Sequence, residues 1–330
     1  MRIRPVRFHR PRPAARATRK PSESMPRQIG KFHASVEYAP IAAFVRLMAK
    51  MPLERAVRLG ARMGGTVMRL DIMNRPIAMR NLSIAFPDLT SAARLKILRA
   101  MYRSWGRMFA EFAHSHELDR SNIEQFVTYD GFENLEVAQN VAGRRGLLVL
   151  TAHFGNWELL PLAHSIYGNR IAIVHRPLRN PLVDLAVREA RMRFGNEVIE
   201  RKNSGPLILK YIRDKWQVAV ALDLDVRDGV FVDFFGMPAC TSDGVARIAM
   251  ATGAPVLPAF MVRDGHSLHH RITILPHLEM VKTRDREECV RENTQRMTAA
   301  IEAAIRKHPD HWNWIHRRWK TRPPGEARFY

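Results

Sequence analysis

The chain has 330 residues, 46% of them hydrophobic and 26% charged, a balance that predicts a packed core rather than general disorder. A formal net charge of +21 selects polyanionic partners, and three kinds qualify: nucleic acid, anionic lipid and an acidic carrier protein. Zinc-finger spacing, an RNA-recognition aromatic signature and a basic region running into leucine heptads are all missing, which argues against nucleic acid.

Residues 1–31 carry ten basic side chains against one acid, Glu23, and residues 1–30 are rich in Arg, Pro and Ser. That segment reads as a disordered basic tail. It leads into no clean apolar stretch with a cleavage site, so no secretory signal is read. A conventional membrane-spanning helix is not supported either, because no uncharged apolar run reaches about 18 residues. In residues 31–72, Arg46, Lys50, Glu54, Arg58 and Arg62 recur at four-residue steps with Ala, Val, Leu and Met between them. Such spacing lays the charges along one helical stripe, opposite an apolar side. Pro52 divides the segment into helices near 38–50 and 53–70. The pattern suits helices lying in a membrane interface with basic side chains toward lipid phosphates. A pair of helices packed on the protein's own core is the alternative, and the membrane interface is the preferred reading of 31–72.

From residue 73 onward the chain reads as one catalytic domain, 73–330. Helical periodicity covers 75–85 and 92–116. Short aliphatic runs at 147–150, 171–175, 218–222 and 256–262 then alternate with helical stretches near 157–167, 180–195, 204–215 and 241–252. Alternation of this kind predicts an α/β fold, a mainly parallel mixed sheet flanked by helices. Residues 271–275 read as an added edge strand, and a long helix is expected at 286–307. Cys240 and Cys289 are too few for a disulfide framework in a chain this long and read as reduced thiols.

The chemistry concentrates in Thr151-Ala-His-Phe-Gly-Asn-Trp-Glu158. An apolar strand ends before it and helical texture resumes after it. His153 and Glu158 are five residues apart, about 500° on a continuous helix and so some 140° off a shared face. They meet only if His153 sits in the strand-to-helix turn and Glu158 in the first turn of the helix. Gly155 permits the tight backbone of such a turn, and Asn156 suits an N-cap. The site then lies at the carboxyl end of a strand beside a helix N-terminus, where α/β sheets bind ligands. A His–carboxylate pair there suits general-base work on a hydroxyl, and no G-x-S-x-G elbow offers a covalent nucleophile.

His-Phe-Gly-Asn-Trp-Glu resembles the catalytic block of the late (secondary) lipid A acyltransferases, the lauroyl/myristoyl-type enzymes of the lysophospholipid acyltransferase superfamily. Four further segments agree in order: Asn74-Arg-Pro-Ile-Ala-Met-Arg-Asn-Leu-Ser-Ile-Ala-Phe-Pro87; His175-Arg-Pro-Leu-Arg-Asn-Pro181; Asp223-Leu-Asp225 with Val230-Phe-Val-Asp-Phe-Phe-Gly-Met-Pro-Ala239; and Trp314-Ile-His-Arg-Arg-Trp-Lys-Thr-Arg-Pro323. The resemblance implies a glycerol-phosphate-acyltransferase-like fold with N-terminal amphipathic helices. It implies acyl transfer from acyl carrier protein to the hydroxyl of a 3-hydroxyacyl chain on a phosphorylated lipid A precursor. His153 would be the base and Glu158 the carboxylate that orients it. Gly155, Asn156, Arg176, Asp223 and Gly236 would bind or shape the pocket for substrate. No cofactor or metal is called for. The implied location is the cytoplasmic face of the inner membrane, peripheral or monotopic, among anionic lipids. The basic tail lies outside the resemblance, and family members commonly show a clearer apolar N-terminal anchor than this chain does.

Two rivals stand beside this reading: an acyltransferase of the same superfamily acting on a lysophospholipid or another glycolipid, and a non-catalytic basic membrane-binding protein. His308, His311 and His316, interleaved with Trp312, Trp314 and Trp319, read as an interfacial belt rather than a metal site. His266, His269 and His270 read as a solvated turn between strands, and the aromatics of 231–235 as either core or pocket lining.

Overall fold

A computed structural model describes residues 30–202 and 204–330. The basic tail read over residues 1–30 lies outside the described residues apart from Gly30. Four helices open the described chain: α1 (Lys31–Ala49), α2 (Leu53–Leu70), α3 (Asn74–Ala85) and α4 (Ser91–His114). Pro52 separates α1 from α2 as the sequence suggests, but α1 begins seven residues before the expected start and runs on through Pro40. α2 turns a stripe of small and apolar residues (Ala56, Val57, Gly60, Ala61, Gly64) onto the protein itself. The partner is α4, and the backbones nearly touch: a Cβ on Gly60 would lie 2.2 Å from the Gly106 carbonyl oxygen, and one on Gly106 would lie 1.9 Å from that of Gly60. The apolar side of α2 therefore packs on the protein's own core. Met63, Val67 and Leu70 of α2 remain exposed, as do Phe32, Val36, Ile41, Val45 and Leu47 of α1.

The sheet that follows has seven strands: β1 (Val127–Asp130), β2 (Leu147–Thr151), β3 (Ile171–His175), β4 (Glu197–Glu200), β5 (Gln217–Ala221), β8 (Val256–Arg263) and β9 (His270–Ile274), in the order β1-β9-β8-β2-β5-β3-β4. Every neighbouring pair is parallel except β8 with β9. Helices α5 (Phe132–Ala142), α6 (Leu159–Ile166), α7 (Pro181–Met192), α8 (Gly205–Arg213) and α9 (Gly244–Thr252) connect the strands, and α10 (Arg286–Lys307) closes the fold. The central strands β2 and β8 are buried nearly throughout, which is why their sequences are continuously aliphatic rather than alternating. β6 (Val230–Phe234) and β7 (Met237–Thr241) form a separate antiparallel hairpin turned at Phe235 and Gly236.

Three expectations need correction. β9, read as an edge strand, is internal, since β1 pairs on its far side. His270 is not part of a solvated turn but is buried at the start of β9, 3.3 Å from Glu111. Trp312, Trp314 and Trp319 form no interfacial belt: all three are 0% exposed. They pack with Phe234 and Phe235 of the hairpin and Phe86, so those aromatics are core. Both cysteines are free and buried.

Candidate active site

β2 and β5 lie side by side in parallel register, Thr151 opposite Ala221. Continuing that register two residues beyond the strand ends brings His153 opposite Asp223. The hydrogen bonds follow it. His153 Nδ1 lies 2.9 Å from Asp223 Oδ1, and the His153 backbone N–H donates to Asp223 Oδ2 at 3.0 Å. Trp312 Nε1–H donates to the same Oδ2 at 2.9 Å. With Nδ1 carrying the proton shared with Asp223, the lone pair of a neutral imidazole sits on Nε2. That nitrogen has no protein partner among the described residues. The side chain is 29% exposed while that of Asp223 is 0% exposed, so the pair is anchored inward and open on one side.

The turn after β2 explains the neighbouring residues. Gly155 has φ +60°, and a Cβ there would meet the Met261 carbonyl oxygen at 1.8 Å, so glycine is required twice over. Asn156 is buried; its Oδ1 accepts the Leu159 N–H that opens α6, and its Nδ2 donates to Glu111 Oε2 at 2.8 Å. Asn156 thus holds the first N–H of α6 from two residues before the N-cap position, which Glu158 occupies. Gly155, Asn156, Asp223 and Gly236 do not line the cavity described below. In place of a contact with that cavity, the first two build the turn, Asp223 holds His153, and Gly236 closes the β6–β7 hairpin.

Glu158 also departs from its expected place. It makes no hydrogen bond to His153 among the described residues. Standing at the head of α6, it reaches α7 instead, where Arg191 clasps both its oxygens at 2.9 and 2.6 Å; Trp157 Nε1–H adds a third donor at 3.1 Å. Arg191 also donates to His175 Nδ1 at 2.7 Å, and the opposite nitrogen of that ring donates to Asp184 Oδ1 at 2.8 Å. His175 is thereby fixed neutral, and burial, opposed by Asp184 and reinforced by Arg191, pushes its pKa down. This row of four side chains was not foreseen. Its one sequence signal is that Asp184 and Arg191 are seven residues apart, two turns along one face of α7.

Burial disfavours a charged His153, but the charge and hydrogen bond of Asp223, with Glu158 adding to them, outweigh it and raise the pKa. For Asp223 the order is the same: burial works against ionisation, while His153 and Trp312 win and hold the carboxyl at about 2. Asp223 stays a carboxylate, and His153 becomes a stronger base than a free imidazole.

His153, Trp157, Glu158 and Arg191 face a cavity of about 850 Å³, near the upper end for small-molecule sites. Its other walls are mostly aliphatic, including Leu148, Ile173, Val187, Ile208, Val245 and Ile248. Arg176, as expected, lines it, together with Arg179 and Arg201; Arg176 and Arg179 are exposed. His311 and His316 are engaged within the protein, accepting the N–H groups of Arg263 and Asp225. An imidazole at the wall of a large, mostly apolar cavity with arginines among its lining suits a reaction on a chain-bearing, anionic substrate.

The bacterial lipid A biosynthesis acyltransferase family matches residues 31–321. This chain belongs to that family. The Escherichia coli lipid A biosynthesis palmitoleoyltransferase is 28% identical, covering 86% of this chain and 91% of the relative. The lauroyltransferase of the same organism is also 28% identical, covering 84% and 90%, and its myristoyltransferase is 25% identical, covering 82% of each. A solved structure, the 1-acyl-sn-glycerophosphate acyltransferase PlsC from Thermotoga maritima, aligns with a TM-score of 0.34 at 16% identity, over 72% of this chain and 97% of that one. As a lipid A acyltransferase family member the chain is an O-acyltransferase, and the matched span takes in the turn that carries His153, Asp223 and most of the C-terminal segment.

Proposed function

We propose that this acyltransferase moves a fatty acyl chain from acyl carrier protein to the hydroxyl of a 3-hydroxyacyl chain on a phosphorylated lipid A precursor. His153 is the base, and Asp223, rather than Glu158, is the carboxylate that orients it. The observation that carries this reading is the His153–Asp223 pair, with Nε2 unpartnered beside an aliphatic cavity.

In the reaction, His153 Nε2 takes the acceptor's hydroxyl proton as the oxygen attacks the thioester carbonyl. The tetrahedral intermediate collapses, the carbon–sulfur bond breaks, and the thiolate leaves. The imidazolium, stabilised by Asp223, returns the proton to that sulfur, so base and acid are one residue and no covalent acyl-enzyme is needed. Glu158 and Arg191 hold α6 against α7 at the cavity wall. Arg176 and Arg179 offer donors for acceptor phosphate.

This reading puts the enzyme at the cytoplasmic face of the inner membrane, and two features bear on how it would attach there. Among the described residues no helix is long and apolar enough to cross a membrane. α1 nonetheless keeps apolar side chains exposed and is tied to the cavity rim, Asn180 Nδ2 donating to the Ala34 carbonyl at 3.0 Å. A peripheral mode, with α1 seated in the lipid interface, fits both.

The test is reconstitution with acyl carrier protein thioester and a lipid A precursor lacking secondary chains. His153→Ala should abolish transfer, a loss of about 10³-fold or more, while vesicle binding persists. Undiminished transfer by that variant would remove His153 as base. Transfer by the unsubstituted enzyme to a lysophospholipid but not to the lipid A precursor would overturn the acceptor.

A further inference from the structure

After α10 the chain passes through a short turn at Pro309–His311 and then runs antiparallel to the catalytic turn. Gly155 N–H donates to the His311 carbonyl at 2.9 Å, and Asn313 N–H donates to the carbonyl of His153 itself at 3.2 Å. Between these two contacts stands Trp312. Its ring is fully buried and lies edge-on to Phe234 at 5.5 Å and to Trp314 at 4.7 Å. In that orientation its N–H reaches Asp223 Oδ2.

We infer that Trp312 is a positioning residue of the active site, whose indole N–H and the His153 backbone N–H together lock the Asp223 carboxylate so that Oδ1 faces His153 Nδ1. Oδ2 accepts both donors, and a carboxylate held at one oxygen by two donors cannot rotate without breaking both. The other charged or titratable groups whose fields reach this pair are Arg318 and His316 from the same C-terminal segment and Glu158 and Arg191 from α6 and α7. None of them donates a hydrogen bond to Asp223. Trp312 thus supports the site from about 90 residues beyond Asp223 in sequence, as a donor to the carboxylate rather than to the imidazole. The inference rests on His153 being the base.

The experiment compares Trp312→Phe with Trp314→Phe. Each removes one buried indole N–H, but that of Trp314 donates to the Pro309 carbonyl at 2.6 Å and has no link to Asp223. For folded protein, Trp312→Phe should lower kcat about tenfold to a hundredfold with KM nearly unchanged, and Trp314→Phe should stay within about twofold. The low-field proton shared by His153 Nδ1 and Asp223 should shift in the first variant only. Equal losses in the two variants, or full kcat in Trp312→Phe, would overturn the inference. If Trp312→Phe does not fold, the unsubstituted enzyme decides: the assigned Trp312 indole N–H resonance should titrate together with His153, and an indole unmoved by that titration counts against the idea. A dead His153→Ala beside a fully active Trp312→Phe would remove this inference and leave the base assignment standing.

Discussion

Asp223 and Glu158 both act on His153, yet they belong to different walls of the site. Asp223 leaves the end of β5, is sealed by the C-terminal segment and has a side chain 0% exposed. Glu158 opens α6, lines the cavity and is held by Arg191 of α7. The inner wall works through a hydrogen bond of 2.9 Å, the outer wall only through charge. Five residues of separation made Glu158 look like the partner, but strand neighbours decided otherwise. β2 and β5 are adjacent and parallel, so residues equally far beyond their ends are brought together.

The sharpest way to break this contrast is to neutralise each carboxylate in turn. Asp223→Asn removes the charge that stabilises the imidazolium and the acceptor that fixes the tautomer, and should lower kcat on the order of 10³-fold or more. Glu158→Gln leaves that pair intact and should cost only about tenfold, through loss of its charge and a loosened α6–α7 contact. Equal effects, or a larger one from Glu158→Gln, would restore Glu158 as the orienting group. Steady-state kinetics across pH adds a second readout. With His153 as the proposed base, activity should rise with pH through an apparent pKa above the ordinary 6.5, and Asp223→Asn should move that limb to lower pH. Stability also declines toward low pH, in a lower range. The folded Asp223 pKa of about 2 lies below its ordinary 3.8, so its contribution is complete above 3.8 and is lost as pH falls toward 2, which acid-unfolding curves would show as a gap between enzyme and variant.

The inner wall also carries a buried cation. Arg318 is 0% exposed, donating to the Cys240 carbonyl at 2.8 Å and to Thr241 Oγ1 at 2.5 Å. Burial pushes its pKa down to about 10 against the pull of Asp223 and Asp225, so it remains charged at neutral pH. Arg318→Met should destabilise the fold by about 3 kcal/mol, because two acceptors on the β7 strand and two nearby carboxylates lose their donor and counter-charge. Thermal unfolding measures this, and an unchanged midpoint would mean that the inner wall does not depend on the C-terminal segment.

The same contrast marks what the sequence could disclose. β2, β3, β5 and β8 were legible because strands buried on both faces are written as unbroken aliphatic runs. β1 and β4, at the two sheet edges, are four residues each with half-polar sequences (Val-Thr-Tyr-Asp and Glu-Val-Ile-Glu) and gave no such signal. His153 was legible through its turn, with Gly155 doing the local work expected of it. Its true partner was not, since pairing it with Asp223 requires knowing that β5 lies next to β2. The Trp-rich C-terminus misled for a related reason: aromatic and basic residues together suit a lipid interface and a polar core alike. What decides is whether another element covers them, and here the β6–β7 hairpin does.

The outer wall yields the smallest expected effect and the clearest test of where membrane contact lies. On α1, Val36 is 58% exposed and Val45 40%, whereas the small-residue stripe of α2 packs on α4. If α1 seats in the lipid interface, each of these side chains loses about 1–2 kcal/mol of favourable transfer on becoming charged. Val36→Glu and Val45→Glu should therefore each weaken binding to anionic vesicles about tenfold in a sedimentation assay, with thermal stability and the His153 pH limb unchanged. Neither side chain is a buried core residue, so a drop in melting temperature would instead assign α1 to the folded core. Undiminished vesicle binding by the double variant would move the contact elsewhere, with the exposed Leu70, Ile72 and Met73 between α2 and α3 as the next surface to charge.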